Sequence, residues 1–422
     1  MKICIAIYDC MDLGGIINHT EHLAAGFREI GHDVDFLQIL YKDGAARSQR
    51  DALGAQRLGT GVPYRQGAGW TFPADNRVTY WRDSTKRARQ KLGEYDIVIW
   101  TVPVPPKNKP NLGNDVWPEL YDLSDVKQIA ISHDGNAARG YPHLLHVAEK
   151  LAGLACVHPC AMNTCEFLPI PRAMIVNPQQ SPLERKSRHW DDRHHGFINA
   201  QTFKAWKHAH ELIGAIRYMS EPQPQERRYV IGKGIEYQYL TSQDKCKPQY
   251  FHADGERFWD SAEANGMEHH DYVDEQSLMH LMGGTRAVVD PSWSDRYAKK
   301  GGHFNRVLVE AMMNGCVPVA RLKGVGDDFF KPNEDYIAIP EDADLQQYAE
   351  FVEQAGHASE KFRDAMEYNY RPKLAKFDRR RVAQDFIDLA MGEHVSAVTS
   401  YTRDVTAETK SDDILFEHFD IL

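Results

Sequence analysis

This chain of 422 residues is poor in long apolar runs, in cysteine and in excess positive charge. No apolar run reaches the ~18 residues that a membrane-spanning helix needs, which excludes such a helix. Cysteine is scarce, with seven in the whole chain, so reduced thiols in a cytoplasm-like compartment are expected. Positive charge is not in excess: 60 acidic side chains against 50 basic ones give a net charge of −10, which argues against a general nucleic-acid binder and leaves local patches open. The common catalytic and phosphate loops are absent as well. There is no G-x-G-x-x-G fingerprint, no glycine loop ending in G-K-[ST] and no G-x-S-x-G elbow. No internal repeat occurs beyond two similar halves.

What is present points to two domains. Hydrophobic residues make up 42% of the chain, enough for a sizeable core. The opening "MKICIAIYDCMD" holds a short apolar run broken by Asp9 and Asp12, and reads as a first strand and not a leader. Apolar runs predict strands at Lys2–Tyr8, Asp33–Leu40, Tyr95–Thr101, Gln128–Ser132 and Leu154–Val157, alternating with helices over about 16–31, 83–93, 141–152 and 161–168. The polar stretch 179–195 reads as a linker. The alternation then restarts, with strands at Gly196–Ala200, Arg228–Gly232, His270–Val273, Ala287–Asp290 and Val317–Ala320 and helices over about 206–219, 275–283, 304–314 and 344–356. One long helix is expected over 358–391, followed by a tail, 392–422, with seven acidic and two basic residues. This is the pattern of an α/β doubly wound parallel sheet, made twice. Two Rossmann-like domains, 1–178 and 196–357, would face each other across a cleft.

The stretch "DLGGIINHT" (12–20) joins the first strand to the first helix. Gly14 and Gly15 make either a tight turn or a cleft-lining loop whose amides approach a ligand. The second half has three such junctions: "YVIGKGIE" (229–236), "VVDPSWSD" (288–295) and "GGHFNRVLVEAMMNGCVPVA" (301–320). In this order they resemble the retaining glycosyltransferases of the GT-B fold, family-four-like group. "GGIINHTEHLAAGFREIGHDVDFL" is similar to that family's opening segment. The resemblance implies a GT-B fold, a nucleotide-sugar donor such as a UDP-sugar as co-substrate, no metal or other cofactor, and a last helix that returns to the N-terminal domain. It implies that Glu310 holds the ribose hydroxyls and that Lys207 pairs with the diphosphate; the alternatives are a surface glutamate and a solvated lysine. His303, Phe304, Asn305 and Arg306 would meet phosphate and sugar at a helix N-terminus, with Gly14, Gly15 and Gly234 lining the donor site. The family's second glutamate falls at Gly302, where Asp295 or Asn305 would take over, and its arginine falls at Thr202, where Lys204 would supply charge.

In the first half, "AISHDGNAARG" (130–140) ends a strand on His133-Asp134. The resemblance implies that His133 contacts the transferred sugar; its other reading is a core histidine. Asp134 would orient His133, bind the acceptor or act as a base, or else cap a helix. With "HD", "AWK" and "MKICIAIY", the chain resembles the DNA α-glucosyltransferases of T-even phages. Residues 42–91, read as an irregular insertion, hold eleven basic and four acidic residues with interleaved aromatics. Arg65, Arg77, Arg82, Arg87, Arg89, Trp70 and Trp81 are the candidates there for DNA contact, against the alternative of a solvated loop and helix. The cytoplasm, of a host cell if phage-encoded, is the expected location, with no membrane partner. "CVHPCAMNTC" (156–165) offers Cys156, His158, Cys160 and Cys165 as zinc ligands, but a strand running into a helix scatters them over two faces, and core thiols are expected instead. The function expected is transfer of a sugar onto a hydroxyl, with a hydroxymethylated pyrimidine in duplex DNA as acceptor. The alternatives are a small-molecule, lipid or polysaccharide acceptor, and an inactive nucleotide-sugar binder.

Overall fold

The computed structural model describes residues 1–8, 15–39, 77–80, 85–101, 120–133, 147–166, 168–180, 188–201, 203–204, 207–271, 273, 275–292, 305–321 and 329–393. Seven strands form the first sheet: β1 (Lys2–Tyr8), β2 (Asp33–Ile39), β3 (Arg77–Tyr80), β4 (Ile97–Trp100), β5 (Lys127–Ser132), β6 (Gly153–Cys156) and β7 (Arg172–Met174). They lie in the order β3-β2-β1-β4-β5-β6-β7, every pair parallel. Six strands form the second: β8 (His194–Ala200), β9 (Glu226–Ile231), β10 (Met267–His270), β11 (Thr285–Asp290), β12 (Val317–Arg321) and β13 (Ile337–Ile339), in the parallel order β10-β9-β8-β11-β12-β13. The order reverses between β1 and β4 in one sheet and between β8 and β11 in the other. Such switch points open a crevice at the strands' carboxyl ends, where open α/β sheets take their ligands.

The central strands are buried on both faces, as parallel strands must be under covering helices. Ile3, Cys4, Ile5 and Ala6 of β1 and the whole of β4 and β11 are buried. The described helices are α1 (Gly15–Glu29), α2 (Thr85–Leu92), α3 (Pro159–Thr164), α4 (Ala209–Ala215), α5 (Ile235–Thr241), α6 (Phe258–Ala264), α7 (Glu275–Gly284), α8 (Arg306–Met313), α9 (Leu345–Gly356), α10 (Glu360–Leu374) and α11 (Arg379–Met391).

Several expectations need correction. The helix expected over 358–391 is two. Pro372 removes an amide from the last turn of α10, residues Ala375–Phe377 tighten into a 3-10 turn, and the Asp378 carboxylate accepts the Arg380 amide at 2.9 Å to start α11. The insertion 42–91 is not wholly irregular: besides the helix expected over 83–93, seen as α2, it contributes edge strand β3. In the stretch read as a linker, β8 already begins at His194. Trp190 is buried there, faced by the guanidinium groups of Arg193, Arg286 and Arg363 at 5.2–5.4 Å. Of the helix expected over 141–152, only residues 147–152 are described, and they hold a 3-10 turn at Ala148–Lys150. The tail beyond 393 lies outside the described residues. Among those described, no helix is long and apolar enough to cross a membrane.

Helix α11 packs on the first sheet's α1, β5 and β6, carried there by backbone bonds from Gln179 to Phe377 O (2.7 Å) and from Arg379 to Gln179 O (3.0 Å). Gly26 of α1 sets the spacing. A Cβ on it would lie 2.1 Å from the Arg379 carbonyl oxygen and 3.2 Å from Ala383 Cβ. Gly26→Ala is therefore expected to cost about 1–3 kcal/mol or more, read as a lowered urea midpoint. An unchanged midpoint would contradict the close helix contact.

Candidate active site

The second sheet's switch point is lined by polar groups that its apolar strands deliver to their carboxyl ends. β11 ends on Asp290, which is buried and accepts the Ser292 amide at 3.0 Å. The Ser292 hydroxyl donates to Gln201 Oε1 (2.9 Å), and Gln201 Nε2 donates to the Lys207 carbonyl (3.1 Å). This ladder fixes the segment after β8 that carries Lys207. Burial lowers the Lys207 pKa; the Asp290 carboxylate opposes that shift and Lys204 adds to it. Burial raises the Asp290 pKa, opposed by Lys207 and by the bonds from Ser292. Asp290 Oδ2 has no hydrogen-bond partner among the described residues. The two groups balance each other where an isolated charge would be costly. Lys204 is exposed. Gly234 is packed, since a Cβ there would lie 2.4 Å from the Phe203 carbonyl oxygen; its missing side chain is accounted for by the contact between two loops.

Helix α8 follows β11. Its residues Val307 to Met313 are all buried, including Glu310, so Glu310 is not a surface glutamate. Asn305 caps the helix in extended conformation without a side-chain capping bond. Arg306, the first helical residue, does not point its charge out of the helix end. Its Nε donates to Glu310 Oε1 at 2.5 Å and its Nη2 to Glu275 Oε1 at 2.8 Å.

The opposite wall comes from the first sheet. His133 follows β5, and His19 lies one turn into α1, after Gly15 at its start. Their rings meet edge to face with centroids 4.8 Å apart. His19 Nδ1 lies 2.7 Å from Asn177 Oδ1, the geometry of an N–H donated to the amide oxygen. Burial holds the His19 pKa down to about 4, with the nearby Arg306 and His22 lowering it further against the Asn177 bond. Burial, then the His19 and His158 imidazoles, hold His133 well below the ordinary histidine range. Both Nε2 atoms lack a partner among the described residues. Two neutral imidazoles suit hydroxyl ligands, not phosphates. His158 spends both ring nitrogens, accepting the Ala161 amide (3.2 Å) and meeting His133 O (3.0 Å), so it has none left for a metal.

The two walls touch through His22 of α1, whose Nε2 lies 2.7 Å from Glu275 Oε1. His19, His22, Asn177, Glu275, Gln201, Asp290 and Ser292 were not among the sequence-derived candidates. His19 and His22 sit at helical i, i+3 spacing, and Asp290 is an acid ending an apolar strand, so these three left a signal. Gly14, Asp134, Asp295, His303, Phe304, Arg65, Trp70, Trp81 and Arg82 lie outside the described residues. Arg77 opens β3 and Arg87 lies in α2. Arg89 is held by Asp122, at 3.0 Å to its carboxylate. His208, His210 and Glu211, which sequence reading did not group, have donor atoms within 4.8 Å of one another. The Glu211 carboxylate is already taken there by His208 and Arg321.

No protein-family model matches this chain, and no curated protein matches it. Solved structures do. An α-glucosyltransferase in complex with UDP and a 13-mer DNA containing a central A:G mismatch is similar over 93% of this chain and 100% of its own, at a TM-score of 0.67 and 11% identity. Anabaena Alr3699/HepE in complex with UDP and glucose is similar over the same shares, at 0.61 and 14%. A glycosyltransferase from Rickettsia africae ESF-5 is similar over 93% and 98%, at 0.58 and 10%. The fold is thus GT-B, two Rossmann-like halves with a cleft between them.

A histidine with a folded pKa below its unfolded value binds its proton more readily once the chain unfolds, so stability falls as pH drops from 6.5 to about 4. For His19 the loss is on the order of 3 kcal/mol. His19→Gln should flatten the fall in melting temperature over that window in calorimetry; an unaltered fall would contradict the buried neutral imidazole.

Proposed function

We propose that the chain is a glycosyltransferase that moves a sugar from a nucleotide-sugar, a UDP-sugar, onto a hydroxyl. The observation that carries this reading is the division of labour across the cleft. The second half brings a half-buried lysine and a buried glutamate to its switch point and the first half brings neutral imidazoles. A diphosphate needs the first, a ribose diol the second and sugar hydroxyls the third. Support comes also from similar folds solved with UDP or UDP-glucose bound.

In this reading Glu310 accepts the ribose hydroxyls and Lys207 faces the diphosphate. The bond from the sugar's anomeric carbon to the diphosphate breaks, and the bond to the acceptor oxygen forms. The acceptor's proton passes to the departing phosphate oxygen, and Lys207 stabilises the charge left on the diphosphate. No protein nucleophile is required, consistent with retention of configuration; an inverting reaction would take Asp134 as general base. His133 and His19 receive sugar hydroxyls. Gly14 and Gly15 would lie against the donor and leave room for the acceptor.

The acceptor we propose is a hydroxymethylated pyrimidine in duplex DNA. The basic, aromatic-rich stretch 42–91 supports it, as does the likeness to an α-glucosyltransferase solved with DNA containing an HMU base. Mass spectrometry of hydroxymethylcytosine and hydroxymethyluracil duplexes, after incubation with a panel of nucleotide-sugars, tests donor and acceptor together. A mass increment of one sugar is expected. Donor hydrolysis without any DNA product would point to a different acceptor, and no turnover at all would leave a binding protein.

Lys207→Met should lower kcat by about 100-fold or more. Glu310→Ala should raise the donor KM. Replacing Arg77, Arg82, Arg87 and Arg89 together by Gln should weaken DNA binding and reduce the slope of log affinity against log salt by about 0.9 for each phosphate that these arginines neutralise. An unchanged slope would remove this stretch as the DNA site.

A further inference from the structure

A continuous chain of charged and polar side chains crosses the cleft. It starts on α1 of the first half at His22, whose Nε2 lies 2.7 Å from Glu275 Oε1. Glu275 is the first residue of α7 in the second half. The same oxygen receives Arg306 Nη2 at 2.8 Å, and Arg306 Nε reaches Glu310 Oε1, one helical turn on, at 2.5 Å. Little of this is open to water: relative exposure is 9% for His22, 14% for Arg306, 6% for Glu310 and 26% for Glu275. Such contacts are poorly screened by salt.

One guanidinium therefore serves two carboxylates. Its donors lie in a rigid planar fork, so engaging Glu275 fixes the plane in which Nε meets Glu310. Were Glu275 to leave, the fork could rotate and the Glu310 carboxylate would lose its set orientation. Were Arg306 to leave, both carboxylates would lose the guanidinium that they share. His22 is the link that brings the first half into this arrangement. Opening the cleft must break it and uncover Glu275.

We infer that Arg306 is a positioning residue, which orients Glu310 for the donor and, through Glu275 and His22, ties that orientation to closure of the two halves. The donor part of this inference rests on the function proposed above. A nucleotide diol that uses Glu310 in its closed-state orientation then favours the closed cleft, and closure favours the nucleotide by the same factor, since linkage is reciprocal. Arg306 donates to the carboxylates of Glu275 and Glu310.

The test uses the full chain with UDP as the probe, measured by titration calorimetry and by small-angle scattering. His22→Ala and Glu275→Ala should each weaken UDP binding by about 5- to 150-fold and enlarge the radius of gyration of the UDP-free protein. The double variant should bind UDP no worse than the weaker single one, because both changes cut the same chain. His22→Gln, which keeps a donor for Glu275, should restore binding in large part, which a loss of packing alone would not allow. Unchanged affinity and radius in both alanine variants, or strictly additive losses in the double variant, would overturn the inference. If the wild type does not bind UDP, the donor reading fails by itself. The clasp then stands or falls on scattering: a larger radius in the variants supports it, and an equal radius overturns it.

Discussion

A buried charge without a partner costs several kcal/mol, and this molecule concentrates buried charges where its two halves meet. Glu310 sits in a helix whose other residues after Arg306 are apolar and buried. Asp290 is buried at the end of β11 and Lys207 is half-buried near it. Each is tolerated because a partner of opposite sign is close by: Arg306 for Glu310, Asp290 for Lys207. The surrounding structure is arranged to keep those partners in place. The Ser292–Gln201 ladder holds the segment carrying Lys207, and Glu275 with His22 holds Arg306. Neither arrangement contributes much to folding that apolar side chains would not supply as well. Their retention in a crevice fits a site for a charged, hydroxyl-rich ligand.

The fold provides the crevice. Parallel sheets need both faces covered, and reversal of strand order leaves a gap between adjacent connections. With two such sheets, one gap can be lined with phosphate-type chemistry and the other with hydroxyl-type chemistry. The returning helix α11 then matters for more than packing. It joins the second half to α1 through Gly26, the same helix that presents His19 and His22. The Phe386 ring of α11 lies edge-on to His19 at 6.4 Å, so the imidazole wall leans on an element that follows the second half in sequence.

The sequence was legible where apolar runs were long or central. The boundaries of β1 match the expectation, and those of β5, β11 and β12 fall within two residues of it, because fully buried parallel strands read as unbroken apolar runs. Edge strands β3, β7 and β13 have only three or four residues, too short for a run to single them out as strands. The two-helix ending reads as one helix in the sequence because the polar pattern continues across the break, while Pro372 and the capping Asp378 that mark it are single residues. At the site, Glu310 and Lys207 stood out by their motifs. The bond between His22 and Glu275 joins positions 253 residues apart. Nothing local announces such a pair, and only the packing of one half on the other brings it into being.

In the proposed function the second half holds a nucleotide diphosphate between Lys207 and Glu310 while the first half supplies the imidazole wall. A crystal structure of the protein with UDP tests it most directly. The ribose hydroxyls are expected on the Glu310 carboxylate, the diphosphate beside Lys207 and the start of α8, and the phosphate end directed towards His133 and His19. Nucleotide bound elsewhere, or ribose held without Glu310, would contradict it.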